Sequence, residues 1–176
     1  MLNFMEQILG NSDISDWIGN KNTSVGIVDI VTAELINSTI GKKPNEDFKN
    51  GDPLPPLWHW FAFPSATHLS QLGDDGHPKH VGYTPPKDLT RRMWASGSLT
   101  FHSDLRIGEE ITKDTTVLDI KEKESQSGEM VFITYEHKLR NSSNIAITET
   151  QNIVYLQASD TFNPPKKRDV PQPDYP

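Results

Sequence analysis

Between Met130 and Arg140 the chain alternates with a period of two. Val131, Ile133, Tyr135, His137 and Leu139 fall on one side, and Thr134, Glu136 and Lys138 on the other. Successive side chains of a strand point to opposite faces, so this pattern reads as a half-buried β-strand. Its surroundings extend the reading. Leu99 to Leu105 leads into a turn at Arg106-Ile107-Gly108-Glu109, and Ile111 to Lys123 is extended. Gln126-Ser127-Gly128 and Asn141 to Asn144 mark further turns, and Ile145 to Leu156 returns. Long strands joined by short turns predict an antiparallel meander.

Ahead of the meander, Ser24 to Val31 reads as a short strand with Val25, Ile27 and Asp29 on one side. Thr32 then caps a helix over Ala33 to Ile40, with Glu34 in its first turn, where a negative charge complements the helix dipole. Gly41 stands where a left-handed terminus is usual, followed by Lys42 and Lys43. Ala66 to Leu72 reads as a second short helix between Ser65 and Gly73. The stretch from Asp74 to Pro86 holds Pro78, Gly82, Pro85 and Pro86 and is irregular; a loop of that length in a compact domain usually carries function.

The fold class is therefore α+β, a curved antiparallel sheet wrapped around a helix. Hot-dog, cone-shaped and cystatin-like sheets all satisfy that description. A single domain over residues 1–159 is expected, followed by an extended or disordered proline-rich tail over 160–176.

With 176 residues the chain can bury one sizeable core. It has no cysteine, which removes disulfides, thiolate chemistry and cysteine-rich zinc sites. A net charge of −7 argues against a nucleic-acid partner. No run approaches the ~18 apolar residues of a membrane helix, and the start lacks a basic-then-apolar leader, so a cytoplasmic setting without a membrane partner is expected.

Candidate functional residues gather in "GDPLPPLWHWFAFPS". Pro53, Pro55 and Pro56 stiffen the approach to Trp58, His59 and Trp60, aromatics suited to an acyl wall, a partner seam or a core anchor. Asp52 and His59 are the fallback acid–base pair, although such residues in proline-rich chain more often cap turns. Arg91 and Arg92 suit a phosphate or carboxylate, with Trp94 packed beneath either, or a surface ion pair. Asp74, Asp75, His77 and His80 superficially suggest a metal site, but Pro78 separates the histidines and no helix presents them together, so no metal is expected. His102 reads as a sheet-face or interface residue. The alternating charges of Lys121 to Glu124 read as a solvated strand end.

Four stretches, "GDPLPPLWHWFAF", "LGDDGHPKHVGYTPP", "RRMWASGSLTFHSDLRIGEEIT" and "EKESQSGEMVFITYEHKL", together resemble the amino-terminal half of the MaoC-like dehydratases, nearest the mesaconyl-CoA hydratase type of 3-hydroxyacyl-thioester dehydratase. The resemblance spans Trp17 to Tyr155 and implies a hot-dog fold, acyl-CoA or other acyl-thioester substrates, and no cofactor. It also implies pairing of two such domains, as a homodimer or with a catalytic hot-dog subunit. The family hydrates a 2-enoyl thioester with an aspartate and a histidine in a Gly-Asp-x-Asn-Pro-x-His-like segment after a helix. Here the corresponding helix end is Ile40-Gly41-Lys42-Lys43-Pro44-Asn45, with lysine in place of the aspartate, and the next histidine is His59. The resemblance thus points to the non-catalytic half that shapes the acyl pocket, as a split subunit or a truncated half. Two alternatives stand beside it: a non-enzymatic acyl-CoA-binding or scaffolding homodimer, and a hot-dog thioesterase that would use Glu34.

Overall fold

The computed structural model describes residues 14–41, 47–73, 76–78, 89–125 and 128–157. Among these residues five strands and one α-helix follow in the order β1 (Lys21–Ile27), α1 (Ile30–Ile40), β2 (Arg91–Phe101), β3 (Glu110–Ser125), β4 (Gly128–Arg140) and β5 (Ile145–Leu156). All pairings are antiparallel, and the strand order across the sheet is β1-β3-β4-β5-β2. The meander of β3, β4 and β5 forms the centre, while β1 and β2 are the edges. Among the described residues no helix is long and apolar enough to cross a membrane.

The alternation in β4 sets the inward face. Val131, Ile133, Tyr135, His137 and Leu139 are all buried, while Glu136 and Lys138 are more accessible. Register carries this phase across the sheet: Leu139 faces Ile147, His137 faces Glu149, Tyr135 faces Gln151 and Ile133 faces Ile153. Two apolar clusters cover this face. One gathers Val28, Ala33, Ile36, Leu54, Trp58, Leu105, Ile107 and Ile111 beneath α1 and the short turn Trp58–Ala62. The other joins Trp17 and Leu89 to Val117, Val131, Ile133, Ile153 and Tyr155. Each fully buried Leu or Ile contributes about 1.5–3 kcal/mol, so both clusters are substantial sources of stability.

Several local expectations shift. The first strand is Lys21–Ile27, not Ser24–Val31. Val25 and Ile27 do share a side, but it is the exposed one, because Gly26 faces inward, where a Cβ would collide with the Ala62 carbonyl. The helix starts at Ile30, earlier than a Thr32 cap allows: Asp29 is the N-cap, its Oδ1 accepting from the Thr32 amide at 2.7 Å. Glu34 consequently falls beyond the first turn. Gly41 is extended, at φ −68° and ψ 151°, rather than left-handed. Lys42 and Lys43 lie outside the described residues, as does the tail from Asp160.

The helix expected over Ala66 to Leu72 reduces to one 3-10 turn at Leu69–Gln71, with His68 in the capping position. The strand expected from Leu99 starts at Arg91 and stops at Phe101. Leu105 instead turns inward and accepts from the Leu54 amide at 2.7 Å.

Gly26 is the point where the Trp58–Ala62 turn presses on the sheet. Gly26→Ala should destabilise the protein by at least ~1–3 kcal/mol, the usual cost of overpacking a close contact. Thermal denaturation checks this; an unchanged midpoint would mean the turn does not rest on β1.

Candidate functional site

A polar row crosses the inward face between the two apolar clusters. Register places Asn22, Thr115, His137, Glu149 and Leu99 side by side from β1 to β2, with Lys113 one row away and Gln151 on the other side. Strand phase dictates this. In β5 the residues Ile147, Glu149, Gln151, Ile153 and Tyr155 share one parity, so the backbone that buries the isoleucines must bury the glutamate.

Glu149 is only 2% exposed. Burying a lone carboxylate costs on the order of several kcal/mol, so it needs partners. It has them. The Trp60 indole N–H donates to both carboxylate oxygens, at 3.2 and 3.3 Å, and Gln151 Nε2 donates to Oε1 at 2.7 Å. His59 Nε2 stands 3.7 Å from Oε2, too far for a hydrogen bond. Burial pushes the Glu149 carboxyl up, but the approach of His59, the Gln151 and Trp60 donors and nearby His137 outweigh it and hold the group below its ordinary 4.5.

One basic group lies in the row and another beside it. Thr115 Oγ1 lies 2.8 Å from His137 Nδ1, and the His137 ring stacks on Tyr135 with centroids 6.2 Å apart. Burial pushes His137 below 6.5; the Glu149 carboxylate opposes this and Lys113 reinforces it. Burial also lowers Lys113, against the pull of Glu149, and its ammonium sits 4.2 Å from the Phe63 ring centroid. The site is thus a buried carboxylate with imidazoles from two directions and an ammonium nearby, the setting in which shifted pKa values cluster at functional sites.

The Trp58–Ala62 turn delivers two of these groups. Its lead-in is tied to the chain entering β3: Gly51 donates to the Ile107 carbonyl at 2.9 Å, Ile107 to the Asp52 carbonyl at 2.9 Å, and Arg106 Nη1 to the Gly51 carbonyl at 2.7 Å. Leu57, just before the turn, is a non-glycine residue at φ 74°, a left-handed conformation that costs about 1–2 kcal/mol. A cavity of about 110 Å3 lies beside His59, bounded by Leu54, Pro55, Phe101, Ile147 and Asp104 among others.

The candidate residues separate clearly. His59 and Trp60 belong to the row. Trp58 is buried in the first apolar cluster against Phe48, ring centroids 5.6 Å apart, behind them. Trp94 is 50% exposed and meets Trp60 edge-on at 5.6 Å. Arg91 is exposed and Arg92 half-buried at the start of β2. Asp52 does not pair with His59; its Oδ2 accepts from the Lys49 amide at 2.8 Å, the turn-capping use. His102 is exposed, its Nε2 2.9 Å from Thr148 Oγ1 across the sheet face. Glu34 is exposed on the helix, and the carboxylate at the helix start, Asp29, is engaged as the cap. Asp74, Asp75 and His80 lie outside the described residues, and His77 is exposed. Among the described residues no group of three or more His, Asp or Glu side chains could hold a metal ion. Sequence reasoning missed Glu149, Gln151, Lys113 and Thr115; their parity with buried neighbours was the available signal.

Residues 57–176 match the family model of hydroxyacyl-thioester dehydratase type 2. Mesaconyl-C(4)-CoA hydratase from Chloroflexus aurantiacus is 34% identical over 164 residues, covering 93% of this chain and 58% of that protein, so the chain spans little more than half of that relative's length. The MaoC-like dehydratase from Rhodospirillum rubrum superposes with a TM-score of 0.51 at 15% identity, covering 85% of this chain and 99% of its own. The ChsH1-ChsH2 complex from Mycobacterium tuberculosis gives 0.52 at 12%, covering 88% of this chain and 96% of the matched one. These likenesses decide among the sheet-and-helix alternatives: the fold is the hot-dog fold.

The lowered values of His137 and Glu149 have one sign. Each group binds its proton more weakly folded than unfolded, so its contribution is complete above the unfolded value and fades as pH falls through the folded one. The melting temperature should therefore drop on acidification below about 6.5 and again below about 4.5. His137→Gln should flatten the first fall and Glu149→Gln the second. Melting curves between pH 7 and 3.5 check this; slopes unchanged by either substitution would contradict the assignment.

Proposed function

Because the chain belongs to the hydroxyacyl-thioester dehydratase type 2 family, we propose that it is the non-catalytic half of a hot-dog hydratase. In this reading it shapes the acyl pocket for an acyl-CoA substrate and pairs with a catalytic hot-dog domain that hydrates the 2-enoyl thioester. The observation that carries the reading is the state of the carboxylate–imidazole pair the fold does form. Glu149 and His59 are both almost fully buried, and the Glu149 oxygens are occupied by Trp60 and Gln151. A general base must reach the water it deprotonates, and a carboxylate committed in this way is poorly placed to do so. Asp52, the other candidate acid, holds a turn.

The rest of the site supports binding. Trp60 and Trp94 present stiff, half-exposed rings beside β2, with Trp58 packed behind the turn to hold it. His59 and Phe101 continue this wall to the cavity. Arg91 and Arg92 stand at the start of the same strand, where a guanidinium can grip a CoA phosphate through two hydrogen bonds. Pairing is favoured along β2, which is an edge strand among the described residues and whose Met93, Trp94 and Phe101 are exposed. The mesaconyl-C(4)-CoA hydratase is longer than this chain and has room for a second domain within one polypeptide.

Purified chain should be assayed for hydration of crotonyl-CoA and mesaconyl-CoA, alone and with a hot-dog domain carrying Gly-Asp-x-Asn-Pro-x-His. Positioned acid–base groups usually contribute about 10²–10⁴ in rate. The lone chain should thus run at least roughly a hundredfold slower than the pair. Robust turnover by the lone chain would refute the non-catalytic assignment.

A further inference from the structure

We infer that Glu149 is a positioning residue for the acyl wall, fixing the Trp60 ring from inside the sheet and, through it, the Trp94 ring. This rests on the acyl-binding role proposed above and names a side chain that sets the wall's affinity without touching the ligand. Trp60 is 41% exposed and Trp94 50% exposed. Exposed side chains ordinarily hop between rotamers within nanoseconds, so a stiff wall here needs a tether.

The tether is specific. An indole N–H can only donate. That of Trp60 turns inward to both oxygens of Glu149, at 3.2 and 3.3 Å. Glu149 is itself immobile: it is 2% exposed, and Gln151 Nε2 donates to its Oε1 at 2.7 Å. Hydrogen bonds to an ionised acceptor are roughly twice as strong as those between neutral groups. One such bond therefore runs from the interior of β5, a strand paired on both sides, to a ring at the surface.

Other contacts do not replace it. The His59 ring is tilted against the Trp60 indole at 5.6 Å, but it rides on the same turn and cannot anchor that indole to the sheet. Trp94 meets Trp60 edge-on at 5.6 Å, so its ring is steadied by a neighbour that must first be steady. Ordering a loose side chain on binding weakens affinity by roughly two- to tenfold, a loss that a tethered ring avoids.

Hydrogen exchange of the Trp60 indole N–H, followed by NMR on the full chain and identified by its absence in Trp60→Phe, reports the tether. Isothermal titration with crotonyl-CoA reports the wall. Glu149→Met should speed the exchange by roughly ten- to a hundredfold, the worth of one hydrogen bond to a charged group. It should also weaken crotonyl-CoA binding by roughly two- to tenfold. Glu149→Gln, which keeps an acceptor oxygen without the charge, should restore roughly half of each effect on a logarithmic scale. Val131→Ala, in the second apolar cluster, should lower the melting temperature yet leave both readings within about twofold, because an exposed indole exchanges by local opening. If the methionine variant does not fold, the glutamine variant decides: partial loss of protection and affinity supports the inference, and values equal to the unaltered chain overturn it. Unchanged crotonyl-CoA affinity in a folded methionine variant, or equal losses in Val131→Ala, would overturn it while leaving the acyl-binding role intact. No binding of crotonyl-CoA by the unaltered chain would overturn both.

Discussion

A carboxylate held in the middle of a β-sheet is the constraint around which this molecule is arranged. Glu149 cannot turn to solvent, because strand phase fixes it among Ile147, Ile153 and Tyr155. The surroundings therefore supply donors: Gln151 from its own strand, Trp60 from the aromatic turn, and positive or polarisable groups from His59, His137 and Lys113. The turn must lie against the sheet for those donors to arrive. That contact requires an inward glycine at position 26, a left-handed Leu57 and a lead-in bonded to the approach to β3. Removing the carboxylate would remove the reason for much of this arrangement.

The row also divides the interior. Apolar packing lies beneath the helix on one side and beneath Trp17 on the other, with polar groups between. Buried polar networks of this kind are costly when half satisfied and specific when complete. Here the row is nearly complete, and His59 Nε2 is the exception. The incomplete member is also the one that borders the cavity.

Much of the sheet was legible in the sequence because period-two alternation is a local property. It identified β4, β5 and the turn between them at Asn141 to Asn144, and it put His137 on the side of β4 that is buried. Val25 and Ile27 share one side of β1 as expected, but nothing local says that it is the outer one, since Gly26, lacking a side chain, gives no sign that it faces the core. Asp29 and Thr32 are both competent caps, and only the chain's path from β1 separates them. The start of β2 was missed because Arg91 to Gly97 lacks apolar alternation, its pairing being set by β5. At the site, His59 and Trp60 stood out by composition. Their partner did not: Trp60 and Glu149 are separated by 89 positions, and only the strand order brings them together.

Gly97 lies opposite Gln151, and a Cβ added there would come within 2.9 Å of the Trp94 ring. Trp94 in turn leans on Trp60, whose indole grips Glu149. A single hydrogen atom at position 97 thus leaves the space that the Trp94 ring occupies. Whatever approaches that rim from outside is linked, through two rings in series, to an anion it never touches.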